Sequence, residues 1–249
     1  MNSIHDIIII GAGPAGLSCA IEAQKSGLKY LVIDKGGIVS SIQHFQRDMF
    51  FFSTPELLEI GGIPFVVPTT RPTSLDCVNY YRSVAEHYQL HCKFFEPIES
   101  SLKYNGEFTL KSSHGNEFKT RAVVIASGYY DTPSRLNVPG EQLPHVSHFY
   151  RDPLPYYHQN VLIVGGKNSA VEAALDLWRH GARVSVVHRG ETLSSGVKYW
   201  ILPDFQNRVS DGSIALHLNT TVKEFLPHST LVQEQGGKVA EIVTDFAFV

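Results

Sequence analysis

A three-layer α/β fold of two Rossmann-like units, the first carrying an antiparallel β-meander, follows from three observations. Asp6-Ile7-Ile8-Ile9-Ile10 runs straight into Gly11-Ala12-Gly13-Pro14-Ala15-Gly16. The same strand–turn–helix start recurs at Asn160–Ala170. Between Ser101 and Arg121, short alternating runs are separated by the turn pairs Asn105-Gly106 and Gly115-Asn116.

The four isoleucines are β-branched and lie between a polar residue and a glycine, the pattern of a parallel strand buried on both faces. In the turn that follows, Gly11 permits a tight bend and Gly13 lets a backbone approach a pyrophosphate. Gly16 lets the next helix pack close to the strand. A diphosphate would sit against free N–H groups at the helix N-terminus, where the dipole favours negative charge. G-x-G-x-x-G alone is a weak signal; a strand before it, a helix after it and an acid at the end of the next strand make it specific.

At 249 residues the chain is expected to hold one large or two modest domains. A hydrophobic content of 43% with 18% charged residues suits a globular protein with real cores. The net charge of −3 gives no general pull toward nucleic acid or anionic lipid. No basic stretch precedes the apolar N-terminal run, which is too short to span a bilayer, so a soluble cytoplasmic protein is expected. Cys19, Cys77 and Cys92 form no C-x-x-C and no zinc spacing, so no metal site is expected; they suit a reducing compartment.

Leu17, Ala20, Ile21 and Ala23 make a helical apolar stripe that Gly27 ends. Tyr30 to Ile33 reads as the second strand, closed by Asp34 and Lys35. Asp34 stands where this fold places an acid to take hydrogen bonds from a ribose. Gly36 to Pro68 is irregular, with Ser41-Ile42 and Phe50-Phe51-Phe52; its aromatics can wall a flat ring or fill a core. Asp76 to Tyr88 reads as a helix, His91 to Phe95 as a strand, and the meander leads into Ala122–Ile125 and the turn at Gly128.

In the second unit a shift of 154 positions carries Gly11 onto Gly165, Gly16 onto Ala170, Gly27 onto Gly181 and Asp34 onto His188. Internal repetition of this kind indicates two dinucleotide folds in one chain. The copies differ where chemistry is decided. A carboxylate suits a free ribose diol, whereas His188-Arg189 suits a 2′-phosphate. Lys167 replaces the second glycine and either reaches over a diphosphate or points to solvent. Ser169 can serve the helix N-terminus or a phosphate oxygen. Lys198-Tyr199-Trp200-Ile201-Leu202-Pro203 could cover a nicotinamide, form a subunit contact or be core. Leu216 to Phe225, Thr230 to Gln233 and Phe246 to Val249 read as strands.

The chain resembles the thioredoxin-reductase-like flavoproteins and, within them, the YpdA-type or bacillithiol disulfide reductase family. The likeness is carried by IIIIGAGPAGL, Phe51-Phe52-Ser53, Leu58-Glu59-Ile60-Gly61, Ala126-Ser127-Gly128-Tyr129-Tyr130, Gly165-Gly166-Lys167-Asn168-Ser169 and Trp200-Ile201-Leu202-Pro203. The resemblance implies FAD in the first unit, on Gly11, Gly13, Pro14, Ala15, Gly16, Asp34 and Lys35, with Ser41, Ile42 and Gly128 beside it. It implies NADPH in the second, on Gly165, Gly166, Lys167, Asn168, Ser169, His188 and Arg189. Two departures stand out. The family carries Cys at the position of Ala15, and its chain continues past Val249 to complete the FAD domain. The expected domains are therefore 1–131 for FAD and 132–244 for NADPH, with a return to the first domain starting near 245 and cut off at 249.

The implied function is an FAD-dependent NADPH oxidoreductase passing electrons to a low-molecular-weight disulfide or another acceptor, in a homo-oligomer, with no catalytic side chain named. A thioredoxin reductase proper is disfavoured by the missing redox C-x-x-C. The alternatives are a flavin monooxygenase-like enzyme, whose linker signature His145–Tyr150 loosely resembles without the accompanying Phe-x-Gly, and a truncated non-catalytic nucleotide-binding module.

Overall fold

A computed structural model describes residues 4–47 and 49–249, in two units, Met1–Thr132 and Pro133–Val249. In the first, β1 (His5–Ile10) enters α1 (Pro14–Lys25), then β2 (Tyr30–Ile33) and the single turn α2 (Ser40–Gln43). They are followed by α3 (Ser74–His87), β3 (Cys92–Lys93), β4 (Ile98–Tyr104), β5 (Glu107–Ser112) and β6 (Glu117–Ile125). The strands form one sheet in the order β3-β2-β1-β6-β5-β4. β3, β2, β1 and β6 are parallel, while β6, β5 and β4 form the expected antiparallel meander.

The isoleucine run is buried on both faces because successive side chains point opposite ways. Ile9 packs with Ala20 and Ala23 of α1, whereas Ile8 packs with Ile33 and Leu110 on the other face. Helix α3 starts two residues earlier than the apolar spacing indicates. Thr73 and Asp76 form a reciprocal capping box, which sets the start ahead of Asp76, where the apolar spacing begins. Most aromatics of the irregular stretch are core: Phe65 stacks on Tyr80 at 4.2 Å, and Phe45 and Phe51 pack against the same cluster, while Phe50 and Phe52 are exposed.

The second unit contains β7 (Val146–Ser147), β8 (Asn160–Val164), α4 (Asn168–Arg179), β9 (Arg183–Val187), α5 (Leu202–Ser210) and β10 (Ile214–His217). It continues through β11 (Thr220–Phe225), β12 (Ser229–Glu234), β13 (Val239–Val243) and β14 (Phe246–Phe248). A parallel sheet, β10-β9-β8-β14-β7, carries α4 and α5 on one face. The antiparallel sheet β11-β12-β13 covers the other, where Leu162 meets Val222, Phe225 and Val232. The two-unit α/β expectation is borne out. Shifting α1 by 154 positions gives the span of α4, and β2 falls within β9.

One reading is corrected. Residues from 245 onward do not begin a return to the first unit; β14 inserts in parallel between β8 and β7. Its alternate aromatics decide this: Phe246 meets Tyr156 at 5.0 Å and Phe248 meets Tyr150 at 5.1 Å, both edge to face, and Asp245 accepts from both nitrogens of Asn160. Helix α5 is an element the sequence reading does not name, because the aromatic patch at 198–203 conceals its start. Pro203 stands in its first turn, where a missing N–H costs nothing, and Phe205 is fully buried.

Two glycine turns and the side chains around them

The first turn is built on steric necessity. Gly11 has φ +112°, and a Cβ there would overlap the Ala126 carbonyl oxygen of the neighbouring strand end. A Cβ on Gly16 would overlap the Gly11 carbonyl oxygen. Gly13 is different: nothing lies within 4 Å of where its Cβ would stand. It is the N-cap of α1, no side chain caps that helix end, and Pro14 supplies no N–H. The turn therefore presents backbone N–H groups and the positive end of a helix to open space, which suits a diphosphate. Ala15 is exposed beside it and offers no nucleophile.

Asp34 braces this turn. Its Oδ2 accepts from Ala12 N at 2.6 Å and its Oδ1 from Gly36 N at 2.7 Å, leaving further lone pairs for a ligand hydroxyl. Lys35 is paired instead with Asp131 at 2.9 Å. Val39 also ties to the turn, donating its N–H to Ala12 O at 3.0 Å. It is a buried β-branched residue in the left-handed region, φ 44° and ψ 39°, and as N-cap of α2 it sets Ser41 and Ile42 beside the turn. At the other end of α2, Tyr130 donates to His44 O at 3.1 Å and its ring meets Phe45 at 4.7 Å. Gly128, φ +67°, bends the chain from β6 toward that contact. Phe95, missed by sequence reasoning, is exposed at the end of β3 with φ 54°, its ring edge near Gly37.

The second turn repeats the plan with different chemistry. Gly165 donates to Val187 O at 3.0 Å, and Ala170 stands where Gly16 does in the first copy. Lys167 is the extended, exposed N-cap of α4, and Ser169 is exposed one residue into the helix. The His188 ring fits between two glycines. A Cβ on Gly166 would come within 2.5 Å of Nδ1, and one on Gly190 within 2.8 Å of Nε2. Arg189 is exposed next to it. Asn168, by contrast, spends its amide on a neighbouring loop: Oδ1 accepts from Lys198 N at 2.7 Å, and Nδ2 donates to Gly196 O at 2.9 Å. Lys198 is buried against Glu172 at 2.5 Å. Sequence reasoning missed this pair because a lysine reads as solvent-facing.

Cys77 and Cys92 are not disposed for thiol chemistry. Burial pushes the Cys77 thiol up to about 12 and the Cys92 thiol up to about 11. Cys19 lies one turn beyond Ala15 on α1, partly buried against the Ile9 cluster. Among the described residues, no group of His, Cys, Asp and Glu is arranged to hold a metal, and no helix is long and apolar enough to cross a membrane.

Paired parallel-sheet units, each with an uncapped helix at a glycine turn and with opposite charge beyond, define a flavin- and pyridine-nucleotide-dependent oxidoreductase. Residues 8–249 match the family model described as pyridine nucleotide-disulphide oxidoreductase, and the chain belongs to that family. It is 38% identical over 242 residues to the bacilliredoxin reductase Bdr of Bacillus subtilis, covering 97% of this chain and 74% of that protein. The solved bacillithiol disulfide reductase Bdr (YpdA) of Staphylococcus aureus superposes with a TM-score of 0.97 at 37% identity, over 100% of this chain and 76% of that one. A flavin monooxygenase variant from Stenotrophomonas maltophilia shares the fold at a TM-score of 0.80 and 21% identity, over 99% and 78% of the two chains. The protein is an NADPH-dependent flavin oxidoreductase whose cofactors are FAD and NADPH.

Proposed function

We propose that the first turn holds the diphosphate and adenosine ribose of FAD, that the second holds NADPH, and that the electrons go to a low-molecular-weight thiol disulfide of the bacillithiol type. The observation that carries the assignment of turns is the inversion of charge at equivalent strand ends. Asp34 follows β2, and His188-Arg189 follows β9. A carboxylate repels a 2′-phosphate, and a guanidinium binds it with charge-assisted bonds.

Bound FAD would supply the redox chemistry, taking hydride from NADPH and delivering electrons to the acceptor. The chain's own residues bind and orient. Gly11, Gly13, Pro14, Ala15 and Gly16 form the first cradle, and Asp34 fixes its rim. Ser41 and Ile42 are placed beside it by the strained Val39, and Gly128 with Tyr130 closes α2 from the other side. Lys35 stands at the rim with its ammonium engaged by Asp131. In the second cradle Gly165, Gly166, Lys167 and Ser169 face the diphosphate, His188 and Arg189 face the 2′-phosphate, and Asn168 acts through the loop it holds.

Ala15 supports a second reading of the acceptor. With no thiol in the first turn, a mixed disulfide with the protein cannot form there, so an acceptor reduced without a protein thiol is favoured over one needing exchange. The three cysteines, all free, accord with a cytoplasmic setting. An anaerobic titration tests the whole reading. NADPH should bleach a yellow protein and bacillithiol disulfide should restore the colour. A colourless protein that binds NADPH would refute the enzyme, and bleaching without disulfide-driven recovery would refute the acceptor.

A further inference from the structure

Lys198 is attached to α4 at two points. Its backbone N–H donates to Asn168 Oδ1 at 2.7 Å, and its ammonium bonds Glu172 Oε1 at 2.5 Å. Asn168 and Glu172 are four residues apart, so they share one helix face a turn apart. The lysine side chain is 6% exposed and its partner 16%. A buried ion pair of this kind contributes little to stability relative to an apolar pair of similar volume. What it does supply is a defined geometry, because a charge taken out of water tolerates few alternative positions.

The geometry it defines is that of the loop after β9. Asn168 Nδ2 holds Gly196 O at 2.9 Å, Ser194 N donates to Gly166 O at 2.8 Å, and Val197 is buried in the core beneath. The loop thus begins at Gly190, against the His188 ring, and is pinned again at Gly166, on the other side of that ring. Arg189, between His188 and Gly190 in the chain, is exposed.

We infer that Asn168, Glu172 and Lys198 are positioning residues that set the preference for a 2′-phosphate: by pinning Gly196 and Lys198 to α4 they hold the loop whose Ser194 N–H meets Gly166 O, and so fix the frame that holds His188 and presents Arg189. The inference deepens the reading of the second turn as the NADPH site and rests on it. None of the three needs to touch the nucleotide. Released from the clamp, the loop would let His188 leave its slot between Gly166 and Gly190, and the phosphate would lose a fixed wall beside Arg189 while the adenosine and diphosphate contacts stayed in place.

The test is calorimetric binding of adenosine 2′,5′-bisphosphate and of ADP to the purified chain, in wild type, Asn168→Ala, the double variant Lys198→Met with Glu172→Leu, and Arg189→Ala. Thermal unfolding of each variant is recorded alongside. The clamp variants are expected to bind the bisphosphate about tenfold more weakly, the worth of one charge-assisted hydrogen bond, and ADP within about twofold of wild type. Should Asn168→Ala fail to fold, the double variant, in which no charge is stranded, and Glu172→Gln, which keeps the shape, carry the same comparison; restoration toward wild type by Lys198→Arg supports the inference. Clamp variants that bind both ligands as wild type does, or lose both equally, overturn it. If they do so while Arg189→Ala still loses the bisphosphate, the site reading survives and the positioning role alone falls. A wild type that does not prefer the bisphosphate to ADP overturns both.

Discussion

Asp34 Oδ2 accepts a 2.6 Å hydrogen bond from the amide of Ala12, so the acid at the end of the second strand is a structural brace of the first glycine turn as well as its rim. The equivalent residue of the second copy, His188, braces its turn by packing against Gly166 rather than by accepting a proton donor. One position thus does two jobs in each copy, and removing it should damage both.

Asp34→Ala should therefore yield protein with little or no flavin. Each charge-assisted bond to an amide is worth about 1.5–3 kcal/mol, and two are lost. Asp34→Asn keeps one acceptor oxygen and should retain part of the flavin. The FAD-to-protein absorbance ratio after purification measures this. Full flavin content in Asp34→Ala would show that the brace is dispensable.

Gly16 and Gly13 of the first turn should behave differently when substituted. Gly16→Ala forces a Cβ into the Gly11 carbonyl and should destabilise the first unit by about 1–3 kcal/mol, as overpacking does. Gly13→Ala meets only open space, so apoprotein stability should change by no more than about 0.5 kcal/mol, yet FAD should bind poorly if the new methyl occupies the proposed phosphate approach. Thermal melts of the apoproteins and FAD binding isotherms distinguish stability from affinity.

If Arg189 binds the 2′-phosphate as proposed, Arg189→Ala should raise KM for NADPH by roughly ten- to hundred-fold and leave NADH, which lacks that phosphate, nearly unchanged. Steady-state kinetics with both nucleotides gives the ratio. Equal loss of both would mean that Arg189 serves the ribose or the loop.

Glu96 predicts an acid limb of stability in the first unit. It is buried and receives hydrogen bonds from Ser112 and Asn116 and the ammonium of Lys93, which together hold its carboxyl down to about 2 from an ordinary 4.5. A depressed carboxyl stabilises the fold while it is ionised in both states. Its contribution is complete above pH 4.5 and is lost as pH falls from there toward 2. Glu96→Gln should lower the urea midpoint at pH 7 and flatten its fall between pH 5 and about 3. An unchanged pH slope would place the acid sensitivity elsewhere.

How much of this was legible before folding can be judged from particular residues. The isoleucine run, the glycine spacing and the 154-position repeat announced both sheets and both turns, because burial on two faces and close backbone approach leave local marks in sequence. Charge at the strand ends was legible for the same reason. The fate of individual side chains was not. Nothing local says that Asn168 turns away from its own turn, that Lys35 finds Asp131, or that a valine at 39 takes a left-handed conformation.

The amino-acid order by itself determined two glycine turns of one design and the opposite charges that follow them, since hydrophobic period, glycine sterics and formal charge are properties of short stretches. Tertiary structure alone decided that Phe246–Phe248 joins the second sheet between β8 and β7, and that a buried lysine pins the loop beside His188. Both depend on partners tens of residues away, whose presence changes the cost of burying an aromatic edge or a charge.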